Sequence, residues 1–578
     1  MTKNIAPWRF YFVLGLMIFI ALILVARLVD LHVINNAFLR HQGDARMVRT
    51  VTMAAYRGML TDRNGEPLAV SAPVASIWIN PTLFLAADKP TQQKALTKLS
   101  KLLDIPRDQI KTKITAQSTR EFLYLKRHVN PDVAVILMNN HFPGVHLQTE
   151  FHRYYPAGEV TAQLIGFTDV DDKGREGLEL AFNKMLTGKQ GAKRVVKDRV
   201  GNVIEELAIL KQPQDGEDVI LSIDRRLQYL AYRELKAAMI EHNAKAASAV
   251  IVDINTGEVL AMANVPSFNP NNRDDRAPNN VRNRAVTDLF EPGSVFKTMS
   301  MAAALENKVV SPNATFDTTP GYMRVNHNVV RDIRNFGELT LPGILEHSSN
   351  VGITKVVKDL PADKLVDTLR HFGFGESTQS GFPGEREGVI NVPRKNDYFG
   401  LATLSFGYGA SVTVLQLANA YATLASDGSK KPITFIKTER PPKTERVISP
   451  KVATQIRTML QQVVGAPGAG GWRAQVAGYT VAGKTGTVRK LGETGYIEDK
   501  HLALFAGFAP ASKPRLALVI LVDEPRHEAY YGGQVAAPLF SRIMTGALRL
   551  YDIPPDADIT DTPMNSGIIQ ATNNATTR

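Results

Sequence analysis

The run from Phe10 to Ala26 constrains this chain more than any other feature, because it places 17 consecutive residues without a charge between Lys3 and Arg9 on one side and Arg27 and Asp30 on the other. A helix of about 20 apolar residues crosses a bilayer, so the run stands at the lower edge of spanning length. Its exit, Leu24-Val25-Ala26-Arg27-Leu28, lacks the small-x-small pattern of a cleavage site, and an uncleaved anchor is expected. Lys3 and Arg9 face Arg27, Arg40 and Arg46 across it, so charge does not orient the span. The simplest topology puts residues 1–9 inside as a short tail and the whole body outside.

The body is globular. With 578 residues, 44% hydrophobic and 21% charged, two or three domains are expected. The absence of Cys excludes thiol catalysis, Cys-ligated zinc and disulfides. The net charge of +12 suits an anionic surface or polymer, but Lys and Arg are spread without a long basic run, and nucleic acid is not an expected partner.

Helical pattern continues from residue 27 through Leu31, Ile34 and Phe38, and the texture changes near Val51 to short strands and turns. Arg57 to Ala69 reads as strand, Asn-Gly turn, strand, and Thr91 to Leu103 as helix. Arg57, Asp62, Arg63, Arg153 and Glu179 suggest structural ion pairing or a partner surface. His152 has no partner at ligand spacing, and no metal site is expected. Lys211 to Gly216 is a plausible linker, after which the pattern becomes α/β: a helix from Arg225 to about His242, then a hairpin of Ser248–Ile254 and Glu258–Ala263.

Glu291-Pro292-Gly293-Ser294-Val295-Phe296-Lys297 sets a hydroxyl and an amine three residues apart where a turn enters an apolar helix. Positions i and i+3 share a helix face, so Lys297 can take the Ser294 proton and make it a nucleophile. It must be neutral to do so, and burial among Val295, Phe296, Met299 and Met301 favours the uncharged amine. Ser348-x-Asn350 offers a hydroxyl and an amide, although Ser267-x-Asn269 and Ser311-x-Asn313 match the same pattern. Val481 to Thr487 suggests a strand carrying Lys484, Thr485 and Thr487, with Gly486 allowing a ligand near the backbone. Gly478 to Thr485 also satisfies the phosphate-loop pattern, but such a loop must open a helix directly after its Lys. Here the chain runs on as strand and turn, Thr487 to Gly495, which argues against a nucleotidase.

Ser294-x-x-Lys297, Ser348-x-Asn350 and Lys484-Thr485-Gly486, in that order and 54 and 136 residues apart, resemble the motif set of penicillin-binding proteins and related β-lactamases. The resemblance runs over nearly the whole chain and is to the division-specific class B group. Arg57-Gly58 to Ala69, Tyr155-Pro156-x-Gly158, Phe372 to Glu385 and Phe406-Gly407-Tyr408-Gly409 to Thr413 also carry it.

The fold so implied is an α/β (α+β) transpeptidase domain, an antiparallel sheet flanked by helices, over residues 217–553. A β-rich amino-terminal pedestal for dimerisation or interaction covers 51–215, with a juxtamembrane segment at 27–50, the transmembrane helix at 10–26 and a disordered tail at 554–578. The implied function is a peptidoglycan D,D-transpeptidase that cross-links stem peptides through a Ser294 acyl-enzyme during septal wall synthesis, and that β-lactam antibiotics acylate. Competing readings are a β-lactamase or β-lactam sensor of the same fold, a conditional paralogue of the division enzyme, and a division scaffold.

The resemblance makes Ser294, Lys297, Ser348 and Lys484 catalytic, with Ser348 and Lys484 relaying a proton to the departing amine and Lys484 helping to keep Lys297 neutral. Asn350, Thr485, Gly486 and Thr487 would bind substrate, and the backbone N–H groups of Ser294 and Thr487 would form the oxyanion hole. Tyr408, Tyr530 and Tyr531 are candidate substrate-binding aromatics. The last two would form a wall beside the donor site, altered here by His501 where members often carry Tyr, and their alternative is ordinary packing. No cofactor or metal is implied. Implied partners are a membrane glycan polymerase and other division proteins, in the inner membrane with the catalytic domain in the periplasm.

Overall fold

The computed structural model describes residues 7–198, 203–440, 442–465, 468–492, 495–526 and 529–557. The expected anchor is a helix, Pro7–Val29, longer at both ends than the uncharged run, and it continues through a π-helical turn at Asp30–Ile34. Its large apolar side chains are exposed. Among the described residues it is the one helix long and apolar enough to cross a membrane. Residues 1–6 of the expected inner tail lie outside the described residues.

The chain forms two compact units, and the division is not a single cut. The first comprises Met1–Arg57, Ala72–His152 and Thr187–Gly216. Beyond the helix Asn36–Met47 it holds an antiparallel three-stranded sheet, with Gly191–Lys197 between Val48–Met53 and Val203–Lys211. A second part packs the helices Lys89–Leu103, Arg107–Thr115 and Pro131–Asn139 around a core that includes Ile77, Leu99, Ile110 and Leu125. The expected helix at Thr91 starts two residues earlier because Asp88 caps it, accepting the Thr91 N–H at 3.0 Å. His128 and His152 lie together with ring centroids 4.7 Å apart.

The second unit comprises Gly58–Ser71, Arg153–Leu186 and everything from Glu217. Leu60–Thr61 pairs in parallel with Val219–Ile220, which draws the early segment in. Arg153 and Glu179 form a buried pair at 2.6 Å, with Arg153 also donating to Ser71 Oγ at 3.1 Å. Arg63 reaches Glu258 at 3.3 Å, while Asp62 accepts the N–H groups of Asn64, Glu66 and Arg225. Lys211 ends a strand, and Gln214, inside the expected linker, bridges Lys189 within the first unit.

The centre of the second unit is an antiparallel five-stranded sheet in the order Val259–Val265, Ala246–Asp253, Leu516–Asp523, Gly495–Ala509, Ala482–Gly492. All eight residues of Ala246–Asp253 are buried, so both faces of the sheet are covered. One face packs on Arg225–Glu241 and Gly532–Leu550. Asp224 caps the former, and its apolar stripe Leu227, Ala231, Leu235 and Ala238 recurs at three- and four-residue steps, each buried Leu contributing about 2 kcal/mol. The other face meets Val414–Ala425, buried along its whole length. The Lys297–Glu306 helix packs against Asn350–Val357, Ala362–His371 and Pro450–Gly465, which explains why it is apolar all round.

The carboxy terminus departs from expectation. Residues 554–557 are held rather than disordered: Asp556 accepts the Thr480 N–H at 2.7 Å and the hydroxyls of Thr480 and Ser512, and Tyr479 donates to the Ile553 carbonyl at 2.6 Å. One carboxylate met by three donors orders a segment whose composition alone suggests none. Residues 558–578 of the expected tail lie outside the described residues.

Candidate active site

Ser294 lies in a 3-10 turn, Gly293–Phe296, that feeds directly into the Lys297–Glu306 helix. The turn is clamped from behind. Gly293 has φ +57° and donates its N–H to the Gly407 carbonyl at 3.2 Å. A Cβ on Gly407 would stand 2.2 Å from the Gly293 oxygen, so the loop after Phe406 approaches only because residue 407 has no side chain. The buried Tyr421 hydroxyl donates to the Val295 carbonyl at 3.0 Å.

Lys297 is completely buried, and its Nζ lies 3.0 Å from Ser294 Oγ, 3.1 Å from Ser348 Oγ and 2.5 Å from the Ser348 carbonyl. Lys484, equally buried on the Ala482–Gly492 strand, reaches Ser348 Oγ from the far side at 3.2 Å and the Thr485 carbonyl at 3.0 Å. The four side chains expected to be catalytic therefore form one connected line: Ser294, Lys297, Ser348, Lys484. Burial pushes Lys297 well below its ordinary value, and the neighbouring Lys484 charge pushes the same way, against the weaker pull of Asp332. Burial alone lowers Lys484 to about 7. A neutral amine within hydrogen-bond reach of a hydroxyl can remove its proton, and a second hydroxyl between two amines can pass one on. The strand after Lys484 leaves no helix N-terminus for a nucleotide phosphate, in keeping with the reading of Thr487 to Gly495.

Ser348 stands between the helices Leu341–Glu346 and Asn350–Val357 at φ +57°, an uncommon conformation for a residue with a side chain. Asp332 holds the turn. Its carboxylate accepts the Ser349 hydroxyl at 2.5 Å and the N–H groups of Asn350 and Val351, the latter at 3.1 Å, at the start of the second helix. Asn350 spends an amide proton on the Arg331 carbonyl at 2.9 Å. The Thr487 hydroxyl oxygen accepts the Gly532 N–H at 2.9 Å, leaving its own proton to donate. Gly486 is packed tightly, since a Cβ there would come 3.2 Å from Val295 and 3.4 Å from the Pro292 oxygen.

The aromatic candidates separate. His501, Tyr530 and Tyr531 form a continuous stack with centroids 4.4 Å apart at each step, so His501 occupies the ring position expected of a wall, and Tyr531 remains exposed. Tyr408 is elsewhere, edge-on to Phe406 and Tyr496. The sequence reading missed Asp332, Tyr421 and Glu291. Glu291 accepts the Tyr496 hydroxyl at 2.8 Å and the Gly409 N–H at 3.3 Å. It stood in the motif already quoted, three residues before the nucleophile; the other two carry no local signal.

Comparison with known proteins places this geometry. The family model of the penicillin binding protein transpeptidase domain matches residues 247–545, and that of the penicillin-binding protein dimerisation domain residues 52–221. The chain belongs to the penicillin-binding proteins. It is 44% identical over 554 residues to the peptidoglycan D,D-transpeptidase FtsI of Escherichia coli, covering 96% of this chain and 94% of that one. Penicillin binding protein 3 from Mycobacterium tuberculosis complexed with aztreonam is similar in structure, with a TM-score of 0.68 at 27% identity, covering 88% of this chain and 99% of that one. A peptidoglycan synthetase from Bifidobacterium adolescentis gives 0.70 at 26% identity, with coverages of 88% and 98%.

Proposed function

We propose that this protein is a membrane-anchored serine D,D-transpeptidase that cross-links peptidoglycan stem peptides, and a target of β-lactams. The carrying observation is the buried Lys297, whose pKa burial pushes well down and whose Nζ lies 3.0 Å from the Ser294 hydroxyl, in a chain 44% identical to a D,D-transpeptidase. In this reading Lys297 removes the Ser294 proton as Oγ attacks the carbonyl between two terminal D-alanines. Ser348 and Lys484 return a proton to the departing amine, and the acyl-enzyme then passes to an amine of a second stem. Backbone N–H groups of Ser294 and Thr487 receive the oxyanion. Thr485, Gly486 and Thr487 take the terminal carboxylate and Asn350 the acyl-side amide, with Tyr408, Tyr530 and Tyr531 as the aromatic contacts.

The single apolar helix supports single-pass anchoring. The catalytic domain faces the periplasm, where peptidoglycan lies, and the duty is septal, in company with a membrane glycan polymerase and other division proteins. The likeness to FtsI supports that assignment. Purified wild-type protein should be labelled covalently by a fluorescent penicillin, and S294A should not. Persistent labelling of S294A overturns the nucleophile.

A further inference from the structure

Ser348 sits at a backbone angle that serine seldom adopts. The helix Leu341–Glu346 ends through His347, and the N–H groups of His347, Ser348 and Ser349 turn back to the carbonyls of Gly343, Leu345 and Ile344 at 3.0, 3.3 and 3.0 Å. A chain leaving a helix through a left-handed residue usually has glycine there. Here the residue is Ser348, at φ +57°, and the conformation brings both its Oγ and its carbonyl onto Lys297, at 3.1 Å and 2.5 Å. Such backbone persists only where neighbours over-determine it. Those neighbours come from one loop, residues 332–337, between the strands Asn328–Arg331 and Glu338–Thr340. Both of its ends are pinned. Asp332 donates its N–H to the Gly321 carbonyl at 2.9 Å, and the Gly337 carbonyl accepts the N–H and the hydroxyl of Thr318, each at 2.7 Å. The Asp332 carboxylate secures the turn after Ser348, on Ser349, Asn350 and Val351. Phe336 meets the residue before it: its ring lies almost parallel to the His347 imidazole, with 4.9 Å between centroids and 10° between planes. Arg334 Cζ stands 5.1 Å from the Phe336 centroid, and Asn335 Oδ1 accepts the Gly337 N–H at 2.9 Å, so the ring is held at its root as well.

We propose that Phe336 is a positioning residue for the leaving-group proton: by stacking on His347 it fixes the chain entering Ser348 and keeps Ser348 Oγ between Lys297 and Lys484. The inference rests on the transpeptidase reading and adds a residue on which one step of it depends. As Ser294 Oγ bonds to the carbonyl carbon, the bond from that carbon to the departing atom breaks. A departing nitrogen takes the Ser348 Oγ proton, and Ser348 is resupplied with the proton that Lys297 removed from Ser294. A departing sulfur leaves as a thiolate and needs no proton, because a thiol ionises near about 8.5 and an amine only above about 10. The contact of Lys297 with Ser294 serves both cases, whereas the placing of Ser348 Oγ serves only the first. Phe336 therefore matters to substrates that expel nitrogen and is nearly indifferent to those that expel sulfur.

The test measures the rate of acyl-enzyme formation in the full-length protein with two donors, benzylpenicillin, whose lactam nitrogen departs, and an acylated thioester, whose sulfur departs. Phe336→Ala should slow acylation by penicillin about tenfold or more and by the thioester less than about threefold. Phe336→Tyr keeps the stacked ring and should restore the penicillin rate. His347→Ala removes the other half of the stack from a partly exposed position and should give the same selective loss. The double variant Phe336→Ala/His347→Ala should then lose no more than the worse single variant, since the two act as one unit. Equal losses with both donors in Phe336→Ala and His347→Ala overturn the proposal, because a fold weakened in general or a displaced Ser294 slows both. An unchanged penicillin rate in either single variant overturns it too. A wild type that neither donor acylates overturns the transpeptidase reading instead.

Discussion

Lys484 and Lys490 lie six residues apart on one strand, and their surroundings give them opposite chemistry. Lys484 is fully buried with hydroxyl and carbonyl neighbours, no carboxylate in hydrogen-bond reach among the described residues, and a pKa lowered to about 7. Burial would lower Lys490 too, but hydrogen bonds to Asp523 and Glu524, at 2.6 Å and 2.9 Å, carry it above its ordinary value. Glu524 is only 3% exposed, and burial would raise it. The Lys490 hydrogen bond and the charges of Lys490, Lys245 and Lys500 instead hold it at about 2. One end of the strand withholds counter-charge and keeps a proton exchangeable; the other supplies it in excess and locks the sheet. Function and stability thus draw on the same residue type at opposite cost.

The largest effect separates the two lysines by activity. Lys484→Met should slow acylation by penicillin about 10²- to 10⁴-fold, the range expected for a proton-transfer group, while Lys490→Met loses at least tenfold less. Stopped-flow acylation kinetics decide this, and equal losses break the contrast. A finer reading comes from the pH profile. Removing the Lys484 charge removes a push that keeps Lys297 neutral, so the acidic limb of the residual acylation of Lys484→Met, where Lys297 becomes protonated, should lie at higher pH than in the wild type.

Stability should move the other way. Lys490→Met strips the nearest cation from a buried carboxylate and should destabilise by about 1–3 kcal/mol in denaturant unfolding. The folded Glu524 sits at about 2 against an ordinary 4.5, so its contribution is present above pH 4.5 and is lost as pH falls towards 2. Lys490→Met should therefore narrow its deficit against the wild type across that window. For Lys484 the unfolded chain takes up a proton near 10.5 and the folded chain near 7, so the wild type loses stability as pH falls from 10.5 to 7. Lys484→Met should be more stable than the wild type, with a margin that grows over that interval and is constant below it. A Tm series from pH 7 to 10 measures it.

Much of this is legible in the sequence. The helix after Ser294 is apolar on every side because three other helices enclose it, and the chain after Lys484 reads as strand because no helix signal follows. Both are local facts. The supports are not local. Asp332 reaches Ser349 across 17 positions, and Tyr421 reaches Val295 across 126. Neither residue differs in its own neighbourhood from an ordinary loop Asp or helix Tyr. The joining of Gly58–Ser71 to the carboxy-terminal unit escaped for the same reason, since two short parallel pairings 159 residues apart have no periodicity to announce them. Asp556 anchors a segment whose Pro and Asp content points to disorder, because composition counts residues and cannot see donors waiting on a distant strand.

Asp332 gives the smallest effect and the sharpest probe of how the lysine pair is tuned. Its carboxylate serves two ends at once, capping the Asn350–Val357 helix and pulling Lys297 slightly towards its charged form. Asp332→Asn keeps an acceptor of the same shape but removes the charge, so the cap should weaken by about 1 kcal/mol. The pull on Lys297 disappears with it, and the pKa of that amine should fall further. The acidic limb of penicillin acylation should then move to lower pH, opposite to the shift expected for Lys484→Met. A shift in the same direction for both variants would mean that Asp332 acts on Lys297 through the geometry of the Ser348 turn and not through its charge, and the electrostatic contrast between the two ends of the strand would need to be redrawn around that turn.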